Sequence, residues 1–588
     1  MSGDSMGVLL HAHYRLMGPH GQKIVMPAPV DRDTPEASWW WDHLADQAAE
    51  FRRSGFSAVL LPPVCKTISG SAPDADGYGL YDNYDIGSKK QPVDIPTRFG
   101  DKDRLRRMIA VMHACGLDVY ADVVMHQYDG GNNGTYEYPG ADGKQRTGRF
   151  PKHPPCFVGR PPRVPVDPVA NPQGNFAFGD MVSYLNSKPK DYMINGAIDA
   201  GDWLTRTLDL QGYRIDDVKG MAVRAVRQFL DSKSMAGKFA VGEYFDGNPS
   251  ALHWWVRNSG MDGRSNVFDF TLHWTIQAMC NNSSHWWMGS LQGAGYITVD
   301  PLNAVTFVDN PDTDLSPGEN VIWNKLLGYA LILTAEGYPS VYYKDYSTDR
   351  NCYGLKPFID NLIWIHENLA SGQTLTRWGN DPQVYIFERQ GDPGLLVGLN
   401  NDQGHSYTRR VQTNFGAHVQ LHEYTGKHED IWTDADGTAT FTIPANDNGR
   451  SYLCFSRAKQ GHAFSLQRRT TTQTFFGAAD LDTGPVINGH AMQAGRLWCD
   501  AGTSIEVAFE PDTNGWTENT GILVEIVDSH DRTLASEHYR IASRPNRLKT
   551  DAKGSGWFSL RLIGNALPAP ASYALTVTYT GTQEAPLS

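Results

Sequence analysis

Acids and one arginine close several short apolar runs in this chain. Asp122 ends "LDVYADVVM", Arg214 and Asp216 end "GYRIDD", Glu243 ends "KFAVGEYF", and Asp309 and Asp312 end "AVTFVDNPDT". A single acid in such a place is ordinarily solvated or paired with a base. A set gathered at one rim is different, because neighbouring carboxylates raise one another's pKa and destabilise the fold unless they are used. Cleavage of a glycosidic bond needs such a set: a carboxylate attacks the anomeric carbon, a protonated acid protonates the leaving oxygen, and further negative charge supports the oxocarbenium-like transition state. Arg214 lies two residues before Asp216, so both side chains leave a strand on the same side. That placement predicts that Arg214 keeps Asp216 ionised.

The elements that must deliver these residues read as alternating strands and helices. "GVLLHAHY", "SAVLLPP", "LDVYADVVM", "GYRIDD", "KFAVGEYF", "NVFDF", "NAVTFVDN" and "YPSVYY" are eight candidate strands. Between them, "DKDRLRRMIAVMHACG" and "AIDAGDWLTRTLDLQG" carry apolar residues at three and four spacing and end in glycine, as amphipathic helices do. Such alternation predicts an α/β protein with a closed (β/α)8 barrel of the TIM type, whose reactive residues project from the C-terminal ends of the strands. The pattern breaks after the third strand. Eight prolines fall between Phe150 and Gly174, too many for a helix interior or a central strand, so residues 127–195 read as a small inserted domain at the barrel's rim. The barrel accordingly occupies residues 1–126 and 196–376. Alternating, turn-rich sequence then predicts two C-terminal antiparallel β-sandwich domains, 377–460 and 461–588.

Composition narrows the partners. The chain has 588 residues, a net charge of −13 and a hydrophobic fraction of 40%, and no run of about 18 apolar residues that would span a membrane. The acidic balance argues against nucleic acid, which requires clustered Lys and Arg. Seven cysteines form no CxxC pair and are odd in number, so a disulfide framework is not expected. The N-terminal stretch lacks the features of a secretory signal, and the expectation is a cytoplasmic protein. Trp498, Trp516 and Trp557 of the last domain are read as core residues in preference to sugar-stacking ones.

At this point the sequence resembles the α-amylase family of retaining glycosidases, over roughly residues 7–458. The resemblance is carried, in order, by "DGYGLYDNYDIG", "YADVVMHQ", "GYRIDDVKG", "AVGEYF" and "FVDNPDT". It implies Asp216 as nucleophile, Glu243 as general acid/base and Asp312 as transition-state stabiliser, with Arg214 orienting the nucleophile. It also implies Tyr81 as an aromatic platform under the sugar, Lys219 as a contact beyond the scissile bond, and Asp122, His126 and Tyr244 among the substrate-binding residues. Two positions depart from the family. Pro311 stands where a sugar-binding His is usual, and a gapless alignment puts Gln127 where the second such His stands, with His126 replacing an Asn. A one-residue gap would instead make His126 the family histidine. The chemistry needs no cofactor. The family's structural calcium lacks its Asn ligand here, while Asp180 matches another ligand position and oxygen donors suit that ion.

The leading expectation is therefore a retaining hydrolase of α-1,4-glucosidic bonds in starch or maltooligosaccharides, with an altered cleavage subsite. A transglycosylase that passes the same covalent intermediate to a sugar hydroxyl is the alternative. A non-catalytic carbohydrate-binding protein would be expected to lack one of the three acids, and all three are present.

Overall fold

The computed structural model describes residues 7–586 apart from 14–15, 18–22, 25–38, 73–74, 141, 143, 161–163, 169–178, 317, 348–351, 462–463, 480–485, 488–490, 529–531, 543–546 and 568–570. Its centre is a closed barrel of eight parallel strands: β1 (Leu9–His11), β2 (Ala58–Leu61), β3 (Asp118–Val123), β4 (Gly212–Ile215), β5 (Phe239–Gly242), β6 (Asn266–Phe268), β7 (Ala304–Phe307) and β8 (Tyr338–Tyr342). Each pairs with its sequence neighbours, and β1 closes the ring by pairing with both β8 and β2. All eight lie within the apolar runs of the sequence. Strands buried on both faces read as continuous hydrophobic stretches, and β2 and β7 are buried at every residue.

The period of two decides what faces inward. Leu9, Leu60, Tyr120, Val241, Phe268, Val305, Phe307 and Tyr338 pack together inside the barrel, whereas Leu10, Val59, Leu61, Val119, Ala121, Tyr213 and Ile215 pack in the larger core that includes the helices. Counting two residues on from Tyr120 and Val241 brings Asp122 and Glu243 to the inner face at the C-terminal rim. Arg214 is aligned with Asp122 across β4 and β3.

Helices α1 (Trp40–Ser54), α2 (Lys102–Ala114), α3 (Tyr192–Leu208), α4 (Val223–Leu230), α5 (Phe270–Asn281), α6 (Lys325–Thr334) and α7 (Lys356–Leu369) surround the barrel. Helix α2 begins at Asp101, whose carboxylate accepts from the backbone N–H groups of Asp103 and Arg104 at 3.1 and 3.0 Å, an N-cap that satisfies two otherwise orphaned donors.

The segment between β3 and α3 carries two short antiparallel pairs, 127–128 with 180–181 and 138–139 with 145–146. It has its own aromatic centre: the Lys152 ammonium lies 4.5 Å from the Tyr128 ring and 4.4 Å from that of Phe150. Part of the proline-rich stretch, residues 161–163 and 169–178, lies outside the described residues.

Beyond the barrel, a six-stranded antiparallel sheet begins at Thr374 and faces a two-stranded one, and four- and five-stranded sheets follow. The last pair encloses its own core, including Phe475, Val507, Val524, Leu560 and Leu575. Trp498 and Trp516 are buried, as core residues should be, and the Trp557 side chain lies outside the described residues. None of the seven cysteines forms a disulfide. Among the described residues no helix is long and apolar enough to cross a membrane.

Candidate active site

Four charged side chains meet at the C-terminal mouth of the barrel. The Arg214 guanidinium donates through one nitrogen to both oxygens of Asp122 at 2.9 and 3.0 Å and to Asp216 at 2.5 Å. Its other terminal nitrogen lies 2.9 Å from Glu243 Oε2. The strands enforce this meeting: the Asp216 N–H donates to the Val123 carbonyl, and the Glu243 N–H to that of Ile215, at 3.1 and 3.0 Å. The three acids thus lie side by side at the ends of β3, β4 and β5.

One cation therefore serves three carboxylates. Burial pushes Glu243 well above the ordinary carboxylate range, with the charges of Asp216 and Asp312 adding to the rise and Arg214 opposing it. Asp216 is also raised, first by burial, against the pull of Arg214. Asp122 is pushed up to about 7 by burial and by Asp216. Arg214 acts on Asp216 in the expected direction, favouring its ionised form, and the same guanidinium also opposes the rise that desolvation sets at Asp122 and Glu243. Beneath it, His11 is pushed down to about 3 by burial and by Arg214, so it adds no second cation.

Asp312 reaches the group from another direction. It follows β7 in a tight turn in which Asn310 Oδ1 accepts from the Asp312 and Thr313 N–H groups, both at 2.8 Å. It is half-buried and acts electrostatically on both Asp216 and Glu243. Pro311, buried within the same turn, presents no polar side chain. Asp309, which also closes the β7 run, is turned away from the mouth and held 2.5 Å from Lys325 Nζ.

The remaining sequence-derived candidates are less closely grouped. Lys219 donates to the Phe245 carbonyl at 3.0 Å and pairs with Asp246 at 2.9 Å, with its ammonium 5.7 Å from the Tyr244 ring. Tyr244 is itself buried and lies against Trp255. Gln127 is buried, and its amide donates to the Tyr78 carbonyl at 3.2 Å. His126 Nδ1 is 2.6 Å from Asp217 Oδ2. Tyr81 departs from its expected place: its hydroxyl donates to the Glu137 carbonyl at 2.6 Å and its ring lies edge-on to Tyr138 in the inserted domain. The tyrosine at the carboxylates is Tyr78, whose hydroxyl donates to Asp122 at 2.8 Å and whose ring centre is 5.6 Å from the Arg214 guanidinium.

Sequence reasoning did not single out Tyr78 or Asp217. Asp217 adopts a left-handed conformation with φ of 43°, uncommon for a residue with a side chain and characteristic of strained functional loops. That turn directs its N–H onto Glu243 Oε2 at 3.0 Å. Neither contact leaves a spacing signal, since each joins residues from different strand ends.

The donors at the matched calcium position do not fit a calcium ion. Asp180 receives two hydrogen bonds from the Arg160 guanidinium, at 2.8 and 2.5 Å, and one from the Tyr136 hydroxyl at 3.1 Å, so its carboxylate already faces a cation. Among the described residues no three acid, His or Cys side chains converge as a metal site.

A barrel with these acids at its mouth is that of a glycoside hydrolase acting on O-glycosyl bonds, and known proteins agree. No protein-family model matches the chain. It is 26% identical over 493 residues to an α-amylase of Geobacillus stearothermophilus, covering 73% of this chain and 88% of that one. It is also 26% identical to the cytoplasmic α-amylase of Escherichia coli, covering 69% and 94% respectively. An α-amylase from Geobacillus thermoleovorans complexed with acarbose shares the fold with a TM-score of 0.55 at 15% identity, over 77% of this chain and 98% of that one. A γ-cyclodextrin glucanotransferase from an alkalophilic Bacillus clarkii gives 0.56 at 17% identity, over 98% and 96%. In sequence and in fold the chain is thus similar to α-amylases, and the likenesses support a glycoside hydrolase of that kind.

Proposed function

We propose that this protein hydrolyses α-1,4-glucosidic bonds of starch or maltooligosaccharides by double displacement, with Asp216 as nucleophile, Glu243 as general acid/base and Asp312 as the third carboxylate. The observation that carries the reading is the contact of the single Arg214 guanidinium with both Asp216 and Glu243. The two acids have different environments. Glu243 is raised well above the usual carboxylate range, first by burial, the direction that suits an acid that must protonate the leaving oxygen. Asp216 touches Arg214 at 2.5 Å and is the acid better compensated for bearing charge as it attacks the anomeric carbon. Asp312 then faces the developing positive charge. In the second step Glu243, now ionised, takes a proton from water, which attacks the glycosyl–Asp216 bond and releases the sugar with retention.

Arg214, Asp122 and Tyr78 orient the nucleophile, while Lys219, on the turn after β4, reaches across to Phe245 and Asp246 on the loop that follows Glu243, where Tyr244 also lies. Gln127 and Pro311 reshape the cleavage subsite, supplying no imidazole to the bound ring. We read the inserted domain as held by its own ion pairs, with no calcium at Asp180. Cytoplasmic residence is supported by the E. coli relative, whose name places it there.

The deciding experiment incubates the protein with a panel of α-linked oligosaccharides and resolves products and reducing ends. New reducing ends in step with cleavage are expected from maltooligosaccharides, and no cleavage of any α-1,4-glucan would overturn the reading. Transglycosylation is the second reading, supported by the fold match along nearly the whole chain to the glucanotransferase. It would show as longer or cyclic products without matching reducing ends.

A further inference from the structure

Beneath the loop that carries Asp312 lie five buried charged groups that the reaction does not use. Asp309 accepts from Lys325 Nζ at 2.5 Å, from the Thr313 hydroxyl at 2.9 Å and from the Val321 N–H at 3.1 Å. Lys325 Nζ also lies 2.8 Å from Asp345, whose other oxygen accepts from the Tyr329 hydroxyl at 2.7 Å. Lys344 pairs with Asp314 in a short contact. The Tyr353 ring covers both ammonium groups, 4.5 Å from Lys325 and 5.6 Å from Lys344. The side chains of all five charged residues are at most 3% exposed.

The arrangement has a direction. Lys325 opens α6, and Lys344 and Asp345 directly follow β8, so two later elements reach back to one loop. They grip it at Asp309, three residues before Asp312, and at Asp314, two residues after it. Between the grips, Asn310 closes a turn on the Asp312 N–H. Buried ion pairs are a poor source of stability, since apolar residues of the same volume commonly do as well, but they fix geometry because an ammonium left unpaired there is strongly penalised. We propose that Lys325 and Lys344 are positioning residues for catalysis, clamping both sides of Asp312 so that its carboxylate is held against Asp216 and Glu243. The proposal rests on Asp312 being the third carboxylate of the reaction.

The test replaces one grip without stranding a charge, as Asp314→Asn with Lys344→Gln in the full chain. A misplacement of about 1 Å at a reacting group lowers rate on the order of 100-fold, so kcat on maltooligosaccharides is expected to fall by about 10- to 100-fold while KM moves by less than about threefold. In an Asp312→Asn background the same pair of changes should lower kcat by less than about threefold, because groups acting through one residue are not additive. An equal loss in both backgrounds, or no loss in the first, overturns the clamp. A crystal structure of the double variant checks the same point where turnover is too slow to measure: Asp312 should be displaced with Asp216 and Glu243 in place, and an unmoved Asp312 overturns the proposal. Should the double variant not fold, Lys344→Arg, which keeps the charge but displaces the grip on Asp314, is read the same way. Wild-type kcat in Asp312→Asn alone would instead remove the assignment of Asp312, and the clamp with it.

Discussion

Burial disfavours the ionised forms of Asp122, Asp216 and Glu243, and Arg214 is the group that opposes it in all three. The proposed mechanism needs Asp216 ionised and Glu243 protonated, so kcat/KM should be bell-shaped in pH. Its acid limb belongs to an Asp216 raised above the ordinary carboxylate value and its alkaline limb to Glu243, the two titrating as a coupled pair. Replacing Arg214 with Gln removes a cation that favours both ionised forms. Both limbs should therefore move to higher pH, alongside a large loss of rate, and an unmoved acid limb would contradict the shared-cation account. Asp216→Asn should abolish turnover with the fold intact; near-wild-type activity would end its assignment as nucleophile. Pro311 poses a different question, since a His there would offer hydrogen bonds to a sugar. The proline is buried inside the turn that aims Asp312, and its fixed φ limits the unfolded chain by about 0.4 to 1 kcal/mol. Pro311→His should therefore lower kcat/KM on every substrate and lower Tm slightly. A higher rate on maltooligosaccharides would show that the proline merely vacates a sugar contact.

The eight barrel strands were legible because they are largely buried and so appear as short, mostly apolar runs, and the acids were legible because they close those runs. Legibility failed where loops meet. Tyr78 and Tyr81 are three residues apart in a segment without periodicity, and only the fold shows that Tyr78 turns to Asp122 while Tyr81 turns to the inserted domain. Lys325 and Lys344 likewise sit in apolar segments, and their partners lie 16 and 30 residues away. The inserted domain holds another pairing across 20 residues. Arg160 faces Asp180 at the matched calcium position, so a chelator should leave both Tm and kcat unchanged, measured with and without EDTA and with added Ca2+. Arg160→Ala removes the cation from a carboxylate that is 5% exposed; breaking a buried pair in this way costs about 3 to 5 kcal/mol. The exposed part of Arg160 places the expected loss below that range. A marked fall in Tm with EDTA on the wild type would return a metal to the site.

The terminal domain has a core of its own, yet one of its residues belongs to the core of the barrel. Trp498 packs with the main cluster, and the Arg450 guanidinium, from the preceding sandwich, lies 4.0 Å from the Trp498 ring and 4.8 Å from the Phe358 ring of α7. One arginine thus joins three parts of the molecule through two aromatic faces, an interaction that contributes about 2 kcal/mol or more when desolvated. Trp498 is 3% exposed, and truncating a buried Trp costs about 3 to 5 kcal/mol. Because the terminal domain's other core residues are untouched, Trp498→Ala should loosen its attachment before its fold. The expected calorimetric result is a single transition for the wild type and two for the variant, with kcat on maltooligosaccharides unchanged, since Trp498 contacts none of the mouth residues. Arg450→Ala should move in the same direction by a smaller amount. A Trp498→Ala protein that melts in one transition at the wild-type temperature would show that other contacts, such as those between α7 and the strand Ala571–Pro586, hold the domain without the tryptophan.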